Sequence, residues 1–98
     1  MKKLFISQPM RGKTDETILA ERSNAIQAVT DSLGEPVEVI DSFFGTSIMS
    51  HSLEYLGESL KLLATADIAY FACGWRKARG CKIEHACAEA YGIHHIDA

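Results

Sequence analysis

The run Ile68-Ala69-Tyr70-Phe71-Ala72-Cys73 is uninterrupted apolar sequence, bounded by Asp67 and Gly74. Continuous rather than alternating hydrophobicity over so short a stretch marks a strand covered on both faces, the situation of a central strand in a parallel sheet. Parallel neighbours demand crossover connections, usually helices, and the rest of the chain supplies them. Leu4-Phe5-Ile6 is a strand candidate set between Lys2-Lys3 and the breaker run Ser7-Gln8-Pro9. Behind a cap at Thr14 or Asp15, Ile18, Ala25, Val29 and Leu33 recur at helical spacing, and Gly34 and Pro36 end that helix. Val37-Glu38-Val39-Ile40 reads as a second strand, followed by a loop from Asp41 to Ser52. Leu53, Leu56, Leu60 and Leu63 form an apolar stripe on a second helix, capped by Ser50 or Ser52. A third helix is expected from Lys82 to Tyr91, with Ile83, Ala86, Cys87 and Ala90 inward and Gly92 as its stop, and a last short strand from Ile93 to Ile96.

The order βαβαβαβ predicts one α/β domain over residues 1–98. It is a flavodoxin-like (Rossmann-like) three-layer arrangement with a short parallel sheet of about four strands. A chain of 98 residues, 47% apolar and 23% charged, has enough material for one modest core and is neither disordered nor a disulfide scaffold. Its net charge of −3 argues against a nucleic-acid polymer or a membrane surface as partner. The opening MKKLFISQPMRG breaks its apolar run too early for a signal peptide, and three cysteines without paired spacing suit a reducing, cytoplasmic compartment. Two open sheet edges make a homo-oligomer the expectation.

In such a sheet, ligands bind beyond the carboxyl ends of the strands, which selects the loops Ser7–Lys13, Asp41–Ser52 and Gly74–Lys82. In the first, Ser7, Pro9, Met10, Arg11 and Gly12 combine a turn with a cation and suit an anion, although a solvated turn has the same composition. The third carries Arg76, Lys77, Arg79 and Lys82 between glycines, giving a positive potential in an acidic protein, or simply a charged solvated loop. Trp75 either stacks on a flat ligand or belongs to the core. Phe43 and Phe44 either wall a base or plug the core.

Glu84 falls in the first turn of the expected third helix, where the helix dipole, Arg79 and Lys82 favour its ionised form. An ionised, aimed carboxylate is what attack on an anomeric carbon requires, and Gly80 one turn earlier leaves room for a sugar. The commoner use of an early-helix glutamate is helix stability alone. Cys81 and His85 share a helix face, so a thiolate–imidazole pair or a metal must be weighed. Only Cys73, Cys87 and the His94-His95 pair are available to complete a metal site, none at zinc-motif spacing, so no metal and no cofactor are expected. His94-His95 reads as an alternating pair on an edge strand.

The segments FISQPMRG, LKLLATADIAYFACGW and above all GWRKARGCKIEHACAEAYGI resemble the nucleoside 2-deoxyribosyltransferase-like superfamily, nearest its small phage- and prophage-type branch. The resemblance covers nearly the whole chain and is most specific from Gly74 to Gly92. It implies that Glu84, in Glu84-His85-Ala86-Cys87-Ala88, inherits the role of nucleophile. It also implies that Pro9, Met10, Arg11 and Gly12 map onto the phosphate-holding loop of the related deoxynucleoside-monophosphate N-glycosidases. Two positions depart from the pattern. Ala78 stands where the family usually has Ser or Asp, and Ser59, with Glu58 beside it, stands where it has an acid that assists the leaving base. The characterised enzymes also continue into a fifth strand and helix. Two functions follow as expectations: an N-glycosidic hydrolase or transferase acting on a nucleotide or deoxynucleoside, or a non-catalytic protein that sequesters a nucleotide-derived signal of the ADP-ribose type.

Overall fold

The computed structural model describes residues 1–42 and 52–98. Strands β1 (Lys2–Ser7), β2 (Val37–Val39), β3 (Ile68–Phe71) and β4 (His94–Asp97) alternate with helices α1 (Asp15–Leu33), α2 (Ser52–Leu63) and α3 (Arg79–Ala90). A single 3-10 turn, Trp75–Lys77, precedes α3. The sheet is wholly parallel in the order β2-β1-β3-β4, the flavodoxin-like arrangement. The alternation of side chains along β1 explains the layering. Leu4 and Ile6 join Ala25 and Val29 of α1 and Ile68 of β3 on one face. Phe5 joins Leu63 of α2, Ala69 and Phe71 of β3, and Cys81 and Ala88 of α3 on the other. Among the described residues, no helix is long and apolar enough to cross a membrane.

Helix α1 has the expected ends. The Thr14 side chain accepts a hydrogen bond from the Thr17 N–H at 3.2 Å, and Gly34 closes the helix in the left-handed region at φ +72°, its N–H donating to the Thr30 carbonyl at 2.9 Å. Its buried residues are Ile18, Arg22, Ala25 and Val29, so a guanidinium occupies a place in the apolar stripe.

Three expectations are corrected. Helix α3 begins at Arg79 rather than Lys82, and its buried face is Cys81, Glu84, His85 and Ala88. Ile83 is 39% exposed, and Ala86 and Ala90 also face solvent. The hydrophobic period misjudged this face because the helix turns its polar groups inward, toward partners on β1, α2 and β4. In α2, Leu63 is buried and Leu60 packs against the core, but Leu53 is exposed at the start of the helix. Strand β2 ends at Val39 and β4 starts at His94, each a residue from the expected limit.

Candidate functional site

Strand β1 lies between β2 and β3, so the chain winds outward in one direction from β1 to β2 and in the other from β1 to β3. The carboxyl ends of β1 and β3 therefore flank the topological switch point where doubly wound sheets open a crevice. Ser7 is the last residue of β1 and pairs in register with Phe71, the last of β3. It shares the face of Phe5, the one covered by α2 and α3. Its hydroxyl donates to Oε1 of Glu84 at 2.6 Å, a bond inside the protein linking residues 77 apart in sequence. Ser59 of α2, 4% exposed, is turned toward the same carboxyl and favours its ionised form.

Glu84 is itself only 7% exposed. Burial pushes its carboxyl above the ordinary glutamate range, and the hydrogen bonds from Ser7 and Ser59 pull it back in part. This corrects the electrostatics expected from the sequence. With α3 starting at Arg79, Glu84 lies in the second helical turn, and the dipole's influence falls off within the first. Arg79 and Lys82 are both exposed, so solvent screens them. The carboxyl's charge is set by two hydroxyls and desolvation rather than by cations. Cys81, one turn earlier on the same face, has its thiol pushed up by burial, against a hydrogen bond with Ser7.

The rim of the site comes from the first loop. The Lys13 N–H donates to the Met10 carbonyl at 3.2 Å, closing a turn whose third residue, Gly12, has φ +78°. That conformation favours glycine and leaves Arg11 exposed at the tip. Pro9 lies close to Gly74, where a Cβ would come 3.5 Å from the Pro9 ring at φ +89°, so the two loops approach one another through glycine. Met10 accepts a contact from the Tyr55 hydroxyl at 3.4 Å, joining this loop to α2. A Cβ on Gly80 would meet nothing within 4 Å, which leaves open space over the start of α3.

Gln8, the next residue after Ser7, points to the other face and anchors the loop to α1. Its amide donates to the Ile18 carbonyl at 3.2 Å and to Glu21 at 3.3 Å. Arg22 donates back to Gln8 at 3.3 Å and to Ser42 at 3.2 Å. A second Arg22 donor reaches the Ile40 carbonyl at 3.2 Å. The loop behind the site is thus clamped by a buried guanidinium. Sequence reasoning missed Arg22, although a cation at helical spacing between Ile18 and Ala25 was the available signal.

The structure brings Ser7 to Glu84; Pro9, Met10, Arg11 and Gly12 lie on the loop after β1, and Arg79 and Gly80 open α3. Trp75 is placed differently. It is buried, His85 stacks on its ring at 3.9 Å between centroids, and the Arg76 guanidinium lies 4.5 Å from its centroid. Trp75 is a packing residue that holds α3, not an open platform. Phe43 lies outside the described residues. Ser59 settles the register of α2: it turns to Glu84, while Glu58 pairs with Lys61 at 3.1 Å. Comparison of the chain with protein-family models, with curated proteins and with solved structures finds no match.

Proposed function

We propose that this protein cleaves or transfers an N-glycosidic bond of a nucleotide or deoxynucleoside, with Glu84 as the nucleophile. The observation that carries the reading is the Glu84 carboxylate beside the switch-point crevice, fixed by the Ser7 hydroxyl at 2.6 Å. A carboxylate oxygen attacks the anomeric carbon, and the bond to the base nitrogen breaks with its electron pair leaving on the base. The resulting glycosyl ester is opened by water or by a second base at the same carbon, which returns the carboxylate. Ser7 holds the carboxyl in one orientation, so little freedom is lost on reaching the reactive geometry. Gly80 leaves space for the sugar. Arg11, exposed on the loop after β1, and Arg79, exposed at the start of α3, supply charge-assisted hydrogen bonds to phosphate, alongside Pro9, Met10 and Gly12. The open edges at β2 and β4 support self-association.

A second reading has its own support. Glu84 is almost closed to solvent, Ala78 offers no side-chain donor and Glu58 faces Lys61 instead of the site. These features suit a protein that captures a nucleotide-derived signal of the ADP-ribose type without transforming it. The two separate in one experiment. Near-stoichiometric protein is incubated with deoxynucleosides, deoxynucleoside monophosphates and ADP-ribose derivatives, then ultrafiltered and chromatographed. Free base that disappears with Glu84→Gln supports catalysis. Intact nucleotide retained by the protein, and lost with Arg11→Ala or Arg79→Ala, supports capture. Base release undiminished in Glu84→Gln overturns the catalytic reading, and no retention at low ionic strength overturns the other.

A further inference from the structure

At the far edge of the sheet, α3 and β4 bring together two imidazoles and a carboxylate that the reading above does not use. His85 Nε2 lies 2.9 Å from one oxygen of Asp97, and His95 Nδ1 lies 2.8 Å from the other. One donor atom from each of the three residues can be chosen so that all lie within 4.8 Å of one another. His95 and Asp97 are two apart on β4, so they share a face of the strand, and α3 carries His85 onto that face.

Several features favour a cation over a plain hydrogen-bonded cluster. His85 faces carboxylates with both nitrogens, since Nδ1 also lies 3.3 Å from Glu89 Oε1. A neutral imidazole has one N–H and cannot donate to both. An imidazolium would donate to both, and a metal at Nε2 would leave Nδ1–H to Glu89; a carboxylate behind a ligating histidine is the usual orienting arrangement. The His85 ring is also fixed beforehand. It stacks on Trp75 at 3.9 Å and meets Phe71 edge-on at 4.7 Å, while the two histidine rings stand 4.6 Å apart. Donor atoms in a tetrahedral site with bonds near 2.0–2.1 Å are about 3.3 Å apart; each imidazole here already lies within 3 Å of an Asp97 oxygen, and the set of one donor per residue, within 4.8 Å, draws in around the ion. The His95 and Asp97 side chains are 21% and 27% exposed, which leaves room for water in the remaining coordination position.

We infer that His85, His95 and Asp97 bind a first-row divalent cation of the zinc class, with Glu89 orienting His85. Two imidazoles and one carboxylate suit Zn²⁺, Co²⁺ or Ni²⁺ rather than Mg²⁺ or Ca²⁺. The two histidine donor atoms must present lone pairs, so any proton they hold leaves to solvent on binding. The cation ties the edge strand β4 to α3. This site is independent of the Glu84 chemistry.

The test is titration of the metal-free protein with Co²⁺ and Zn²⁺, followed by calorimetry and the cobalt ligand-field spectrum, in wild type, His95→Ala, Asp97→Asn and His94→Ala. Far-UV circular dichroism checks that each variant is folded, and His95→Gln replaces His95→Ala if it is not. The expected result is one equivalent per chain without a thiolate-to-cobalt charge-transfer band. Affinity should fall at least tenfold in His95→Ala and Asp97→Asn, remain unchanged in His94→Ala, and be accompanied by a zinc-dependent rise in Tm. No saturable binding, a thiolate signature, or binding that survives both ligand variants overturns the inference.

Discussion

Replacing Ser7 by Ala removes the donor of the 2.6 Å bond to Glu84 and the weaker partner of the Cys81 thiol, at a position buried at the end of β1. A hydrogen bond to an ionised partner contributes about 1.5–3 kcal/mol when its loss leaves the partner unsatisfied. Water cannot easily replace the hydroxyl beside a carboxyl that is 7% exposed. For a domain of this size each kcal/mol moves Tm by about 4–8 °C, so the variant should melt on the order of 10 °C below wild type at neutral pH. The effect is pH-dependent, with a definite sign. The Ser7 bond favours the carboxylate and holds Glu84 lower than burial alone would set it. As pH falls through the folded-state value Glu84 becomes neutral, and the bond declines toward the 0.5–1.5 kcal/mol of roughly any neutral pair. Urea titrations at neutral and mildly acidic pH, in wild type and Ser7→Ala, read this directly. The penalty should shrink in acid, and the double variant with Glu84→Gln should show coupling between the two positions. A penalty below about 0.5 kcal/mol at neutral pH, or one that grows in acid, would refute the argument that Ser7 holds an ionised Glu84.

Other consequences are open to measurement. Because burial raises the folded-state pKa of Glu84, its favourable contribution is fully present below the unfolded value and is lost as pH rises through the folded one. Glu84→Gln should therefore flatten the stability–pH profile over that window and match or exceed wild type at neutral pH, and a marked loss of Tm there would contradict it. Thiol titration with a chromogenic disulfide should find exposed Cys73 fast, half-buried Cys87 slower and buried Cys81, whose thiol is pushed up, slowest. Equal rates for all three would be inconsistent with this packing. Gly34→Ala meets no atom within 4 Å, so its expected loss of about 1 kcal/mol comes from the left-handed backbone alone. Chemical denaturation checks this, and an unchanged midpoint would count against the cap.

The architecture was legible because the chain writes it in apolar runs and punctuation. Ile68–Phe71 reads as a central strand, and β3 does lie inside the sheet with both flanks paired. Thr14, Gly34 and Gly92 mark helix limits through backbone chemistry that leaves few alternatives. Helix α3 was misread because its buried face carries Glu84 and His85 beside Cys81 and Ala88, and hydrophobic periodicity cannot recognise a face whose partners are hydroxyls and a carboxylate on other elements. The register of Ser59 against Glu84 and the meeting of His85 with Asp97 depend on how α2 and β4 pack against α3, which no local signal encodes. Arg22 was hidden for a related reason, since its guanidinium is satisfied by two separate segments, Gln8 after β1 and the Ile40 carbonyl and Ser42 after β2.

The central claim, that Glu84 is a nucleophile toward an anomeric carbon, is tested most directly by trapping its ester. Wild type and Glu84→Gln are mixed with the deoxynucleotide panel, quenched rapidly in acid, digested and examined by mass spectrometry. A peptide spanning Glu84 is expected to carry the added mass of the sugar or sugar phosphate in wild type only, with free base released alongside it. Base release with no adduct on that peptide, or an adduct that persists in Glu84→Gln, would contradict it.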